Sequence, residues 1–126
     1  MSNLGDTQHW DTLILINKRI LFFISDSGYG HSRRSSYILD LLQKNSCEVI
    51  AYANKDKLSY IFKKSHNKNV PFKIIDFKYD GNSYTKVEFN KKRKFFERVI
   101  LKHKPDAIIS DNFIEVIGLH RFIFIL

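Results

Sequence analysis

The segment K-R-I-L-F-F-I-S-D-S-G-Y-G-H-S-R-R, residues 18–34, contains the strongest structural signal in the chain. Two cations are followed by an unbroken apolar run, residues 20–24, which is typical of a strand buried on both faces of a parallel sheet. The loop after it contains Gly28 and Gly30, and from there the apolar residues recur at helical spacing over 32–45. The segment therefore predicts a strand, a tight turn and a helix, the first half of a β-α-β unit.

The same alternation continues along the chain. Further strands are predicted over 47–53, 71–77, 107–109 and 122–126, and helices around 58–62, from Phe89 to His103 and from Phe113. Right-handed β-α-β connections place such strands in one parallel sheet. The expected fold class is α/β, with one domain over 18–126 and an N-terminal extension over 1–17.

Composition and charge exclude several classes of protein. The single cysteine, Cys47, excludes a disulfide framework and is predicted to be a buried apolar side chain. No apolar run has the roughly 20 residues of a membrane helix, and no signal peptide is found, which predicts a cytoplasmic protein. The net charge of +8 is regional, because residues 55–104 hold 15 of the 21 Lys and Arg. With no nucleic-acid motif present, nucleic acid is an unlikely partner.

The glycine loop does not match the common phosphate-binding motifs. Arg33 stands where the dinucleotide fingerprint needs its third glycine, and no Gly-Lys-Ser/Thr follows for a Walker loop. What remains is a turn that places His31 just ahead of a helix, where the positive end of the helix favours a neutral imidazole able to accept a proton. An exposed histidine without a function fits the spacing equally well.

A second candidate residue, Asp111, follows the predicted fourth strand. It is either the N-cap of the helix from Phe113 or a functional carboxylate at the carboxyl edge of the sheet. If the first and fourth strands are neighbours, Asp111 and His31 come together. A carboxylate that accepts the second N–H of an imidazole orients a general base, so a His31–Asp111 dyad is expected.

Two motifs at these places resemble a known family. Gly28-Tyr29-Gly30-His31-Ser32-Arg33-Arg34 resembles the G-F-G-H-x-x-R loop in the N-terminal half of GT-B-fold glycosyltransferases, and Pro105-Asp106-Ala107-Ile108-Ile109-Ser110-Asp111 resembles their P-D-x-x-x-S-D segment. The resemblance spans about residues 18–121. It implies a Rossmann-like, incomplete N-terminal half of a GT-B fold.

The resemblance also implies roles for single residues. His31 would be the general base on an acceptor hydroxyl, with Asp111 orienting it. Gly28, Gly30, Arg34 and Asn112 would contact the substrate. No metal and no cofactor is expected in this half.

The family needs a second domain, which binds the nucleotide-sugar donor and is not found in this sequence. The chain is therefore expected to be a truncated or fragmentary hexosyltransferase-like enzyme, inactive without that domain. Two alternatives stay open. One is half of a nucleotide-sugar hydrolase of the same fold, and the other is a non-catalytic remnant or binding partner of a separate C-terminal chain.

Two further segments of the sequence predict features of the protein surface. The cluster Lys91, Lys92, Arg93 and Lys94 is either a solvated helix face or a peripheral contact with the inner membrane face, where it would present a lipid-linked acceptor. The terminal run, residues 122–126, is β-prone and uncharged, which predicts an edge strand that promotes dimerisation or aggregation.

Overall fold

The computed structural model describes residues 17–25, 29–56, 72–77, 85–111 and 113–126, with the backbone alone at 29–33 and 72. These residues form β1 (Arg19–Phe23), α1 (Tyr29–Lys44), β2 (Glu48–Ala53), β3 (Phe72–Asp76), α2 (Lys86–His103), β4 (Ala107–Ser110), a 3₁₀ turn (Ile114–Val116) and β5 (Ile123–Ile125). The strands pair in parallel in the order β3-β2-β1-β4-β5. The predicted α/β class with a parallel sheet is confirmed, and its topology is Rossmann-like.

The two faces of β1 explain its unbroken apolar sequence. Ile20 and Phe22 belong to the core cluster on the α1 side of the sheet, whereas Leu21 and Phe23 belong to the cluster on the α2 side. Phe23 meets Phe96 of α2 edge to face, with ring centroids 4.6 Å apart. Because both faces are covered by helices, neither can be polar, and the period-2 alternation of a half-exposed strand is absent.

The limits of α2 follow from its end residues. The Thr85 hydroxyl accepts a hydrogen bond from the backbone N–H of Glu88 at 3.1 Å, the standard N-cap interaction. At the other end Lys104 adopts the left-handed conformation, with φ 48°, and its N–H donates to the Ile100 carbonyl. Pro105 follows and cannot continue the helix. The predicted end of this helix is confirmed.

Two predicted boundaries were wrong. α1 begins at Tyr29, so Gly30 and His31 lie in its first turn and not in a turn ahead of it. The helix expected from Phe113 is a single 3₁₀ turn, which ends before Gly118 at φ 84°.

Predictions for the edge strand and for Cys47 are confirmed in part or in full, and two others concern segments that the structure does not describe. β5 forms the predicted edge strand beside β4, while dimerisation through it stays a prediction. Cys47 is fully buried as predicted, and burial raises the pKa of its thiol. The predicted helix at 58–62 and residues 1–16 of the extension lie outside the described residues.

Candidate functional site at the carboxyl edge of the sheet

The candidate site lies where β1 and β4 end side by side. Phe23 of β1 is in register with Ser110 of β4, and the backbone N–H of Asp111 donates to the Phe23 carbonyl at 2.9 Å. The two strands are neighbours, which is the condition under which the sequence brings the His31 and Asp111 segments together. Because the connection after β1 leads to β2 on one side while β4 lies on the other, this is the switch point at which open α/β sheets bind ligands.

Ser110 closes the loop that contains Asp111. Its hydroxyl accepts from the backbone N–H of Phe113 and donates to the Phe113 carbonyl, both at 3.0 Å, and the residue is fully buried. Phe113 occupies the N-cap position of the 3₁₀ turn and makes no side-chain capping bond. The interpretation of Asp111 as a helix N-cap is therefore wrong.

Asp111 forms an ion pair with Arg34 of α1. The Arg34 Nη2 donates to Asp111 Oδ1, and the two residues are 77 positions apart in the chain. The Asp111 side chain is 0% exposed, whereas that of Arg34 is 44% exposed. A carboxylate removed from water needs a charged or hydrogen-bonding partner, and Arg34 supplies one while remaining in contact with solvent. The pair joins the first turns of α1 to the end of β4.

A second buried carboxylate lies next along the chain. Glu115 is 1% exposed, and its backbone carbonyl accepts from Arg93 Nη1 at 3.1 Å. The same nitrogen donates to the Ile117 carbonyl at 2.6 Å. Arg93 therefore holds the 3₁₀ turn against α2, although the sequence grouped it with the surface cations. Nothing in its local sequence distinguishes it from the lysines on either side.

Ser35, beside Arg34, faces the interior. It is 2% exposed, and among the described residues its Oγ has no hydrogen-bond partner. Its neighbours on the same helix face, Leu39 and Leu42, pack against the sheet. A hydroxyl in that position costs free energy that an apolar side chain would not.

For the remaining predicted site residues the structure describes at most the backbone. Gly28 and Asn112 lie outside the described residues, and for Gly30 and His31 only the backbone is described. The expected His31–Asp111 dyad stays a prediction. Within the described part of the chain no three His, Cys, Asp or Glu side chains are grouped so that they could hold a metal ion.

Comparison with protein-family models, with curated proteins and with solved structures gave no match for this chain. The fold and the edge geometry define an α/β domain with a Rossmann-like parallel sheet and a charged pair at its switch point. In the described residues no helix has the length and apolar character needed to cross a membrane.

Proposed function

We propose that this chain is the acceptor-side domain of an inverting GT-B-fold glycosyltransferase, acting together with a donor-binding domain. The observation that supports it best is the Arg34–Asp111 ion pair. It joins the two segments on which the resemblance depends, the glycine loop with its arginines and the segment ending in Ser110-Asp111. Both segments follow neighbouring parallel strands, and they meet at the edge where open α/β sheets bind ligands.

His31 is the proposed general base. Residues three apart on a helix share one face, so position 31 lies on the Arg34 side of α1, which is also the side of the Asp111 loop. In the proposed reaction His31 takes the proton of an acceptor hydroxyl while that oxygen bonds to the anomeric carbon. The nucleoside diphosphate leaves with the electron pair of the broken C–O bond.

Arg34 and Asp111 have positioning roles in this proposal. Asp111 is anchored through its backbone to β1 and through its carboxylate to Arg34, so its position is fixed before any substrate binds. A fixed carboxylate can orient an imidazole without an entropic cost at the moment of reaction. Gly28, Gly30 and Asn112 are proposed to contact the substrate through the two loops.

The test is turnover of nucleotide sugars. The chain is assayed with a panel of nucleotide sugars and acceptors, alone and with any second Rossmann-like domain that a neighbouring reading frame is found to encode. His31→Ala should lower turnover by about 10²- to 10⁴-fold, the usual contribution of a general base. Tyr37→Ala, an exposed position on the same helix, should leave turnover within about twofold, because truncating an exposed side chain has little effect on the fold.

The outcomes separate the alternatives. Release of free sugar into water without an acceptor would assign the chain to the nucleotide-sugar hydrolases. Unchanged turnover in the His31→Ala variant would exclude His31 as the base. Absence of turnover with every donor and partner would favour the non-catalytic binding partner.

We also propose that α2 contacts an anionic membrane surface, which would deliver a lipid-linked acceptor. One stripe of this helix, at spacings of three and four residues, consists of Val87, Lys91, Lys94, Arg98 and Leu101, all of them exposed. It combines cations with apolar side chains, as interfacial helices do. Arg93 is excluded from this surface by its bonds to the 3₁₀ turn, and Lys92 is half-buried.

Vesicle co-sedimentation tests the membrane contact. Binding to phosphatidylglycerol vesicles should exceed binding to phosphatidylcholine vesicles and should fall with salt. Lys91→Gln with Lys94→Gln should weaken it by about tenfold or more, since each cation near an anionic surface contributes about 1 kcal/mol. The matched control replaces Lys44 and Lys55, which lie elsewhere on the surface. Equal binding to both vesicle types would contradict the proposal.

A further inference from the structure

A cavity with charged side chains in its lining lies at the opposite edge of the sheet, where the strands begin. It has a volume of about 500 Å³, within the range of small-ligand sites. It lies between the starts of β1, β2 and β3 and the last turn of α2. Its lining consists of Arg19, Glu48, Val49, Ile50, Lys73, Lys102 and His103.

The charges of this cavity are unbalanced. Arg19 pairs with Glu48 at 3.0 Å and also donates to the His103 carbonyl at 3.1 Å. For Lys73 and Lys102, both exposed, the described residues provide no carboxylate partner. The lining side chains therefore carry a formal balance of +2, from three cations and one carboxylate.

The end of α2 opposes this positive charge only in part. A helix C-terminus carries about −0.5 of an elementary charge on its unpaired carbonyls. Here the His103 carbonyl already accepts from Arg19, and the Lys104 N–H closes the last turn on the Ile100 carbonyl. The two lysine charges exceed the remaining helix charge, and the cavity favours an anion.

His103 adds a titratable donor to the cavity. Its Nε2 lies 2.7 Å from the hydroxyl of Tyr52, which is nearly fully buried. Burial lowers the pKa of His103, and the nearby cations Lys102, Lys73 and Arg19 lower it further. Burial also raises the pKa of Tyr52, so the phenol stays protonated and shares this hydrogen bond with the imidazole.

We propose that this cavity binds a small phosphate-class oxyanion, held by Lys73, Lys102 and His103. The anion brings a negative charge that the described residues do not place beside these lysines. The anion also reduces the repulsion between the surrounding cations and a protonated His103. Anion binding therefore favours protonation of His103, and protonation of His103 favours anion binding. The charged or titratable groups facing this imidazole come from β1 (Arg19), β2 (Glu48, Tyr52), β3 (Lys73) and α2 itself (Lys102). Affinity for the anion should therefore rise as pH falls through the pKa of His103.

Calorimetric titration of the whole chain with inorganic sulfate and inorganic phosphate tests the proposal. Sulfate keeps its charge over the range in which histidine titrates, so a pH effect on its binding reports the protein. Lys73→Gln with Lys102→Gln should weaken binding by about tenfold, equivalent to about 1.4 kcal/mol. The matched control, Lys55→Gln with Lys86→Gln, removes the same charge from exposed positions after β2 and at the start of α2, away from the cavity, and should change affinity by less than about twofold.

Two further measurements sharpen the result. His103→Gln should abolish the pH dependence of sulfate binding while keeping most of the affinity at neutral pH. Titration with glycerol 3-phosphate identifies the class of ligand. If glycerol 3-phosphate binds more tightly than inorganic phosphate, the ligand is a phosphomonoester. If the two bind equally, the ligand is the free anion. No binding of any of these anions, or an equal loss in the cavity and control variants, would overturn the proposal. Neither result depends on the activity proposed for the other edge.

Discussion

The two edges of the sheet each contain an arginine paired with a carboxylate, and the two pairs differ in one respect. Arg34 and Arg19 have side chains that are equally exposed, at 44%. The partner of Arg34, Asp111, is 0% exposed, whereas the partner of Arg19, Glu48, is 39% exposed. An exposed pair contributes little, but removing one member of a pair whose other member is buried leaves a charge without its compensating partner. Burial of the carboxylate, and not the presence of an ion pair, should therefore decide the stability contribution.

The largest expected effect tests that comparison directly. Arg34→Met should lower the free energy of unfolding by about 2 to 3 kcal/mol, less than for a fully buried pair because Arg34 reaches solvent. Arg19→Met should cost only about 1 kcal/mol, including its bond to the His103 carbonyl. Urea unfolding of both variants measures the difference. Equal losses would mean that burial of the Asp111 carboxylate does not increase the contribution of its ion pair to the free energy of unfolding.

A smaller effect is expected from pH at the amino edge. The pKa of His103 is lowered in the folded state, so the unfolded chain binds more protons below its unperturbed value of about 6.5. The stability contribution of neutral His103 is thus fully present above that pH and is lost as pH falls toward the folded-state pKa.

The check is urea unfolding of the wild type and of His103→Gln at several values from neutral to mildly acidic pH. The variant should lose less stability on acidification than the wild type, because it has no imidazole to protonate. Identical pH profiles would show that His103 titrates alike in the folded and unfolded chains.

The smallest effect on the free energy of unfolding is expected at Ser35, the residue next to Arg34 of the ion pair. Ser35→Ala should raise the free energy of unfolding by about 0.5 kcal/mol, because it removes a buried hydroxyl and introduces a better helix former. The neighbouring Arg34→Met should act in the opposite direction. A loss of stability in Ser35→Ala would show that its hydroxyl has a partner, such as a bound water, that stabilises the fold.

The order of strands located Asp111 in the fold, but it did not reveal the contacts of its side chain. One of the two interpretations of Asp111 placed it at the carboxyl edge of the sheet, and it lies there, beside the end of β1. Its ion pair with Arg34 could not be read from the sequence, because Arg33 and Arg34 are adjacent and only the orientation of α1 decides which one reaches the loop. The Tyr52–His103 hydrogen bond joins residues 51 positions apart, and no local pattern connects them.

The sequence by itself determined the order of the described strands with α1 and α2 between them, the parallel class of the sheet and the end of α2 ahead of Pro105. These features depend on local preferences and on the period of apolar residues, which act over a few positions. Only the tertiary structure decided that Arg93 bonds to the 3₁₀ turn instead of facing solvent with Lys91 and Lys94. It also decided which carboxylate is buried and which cations surround His103. Burial and electrostatic interaction depend on distances in space, and those distances are set only when the β-α-β units pack together.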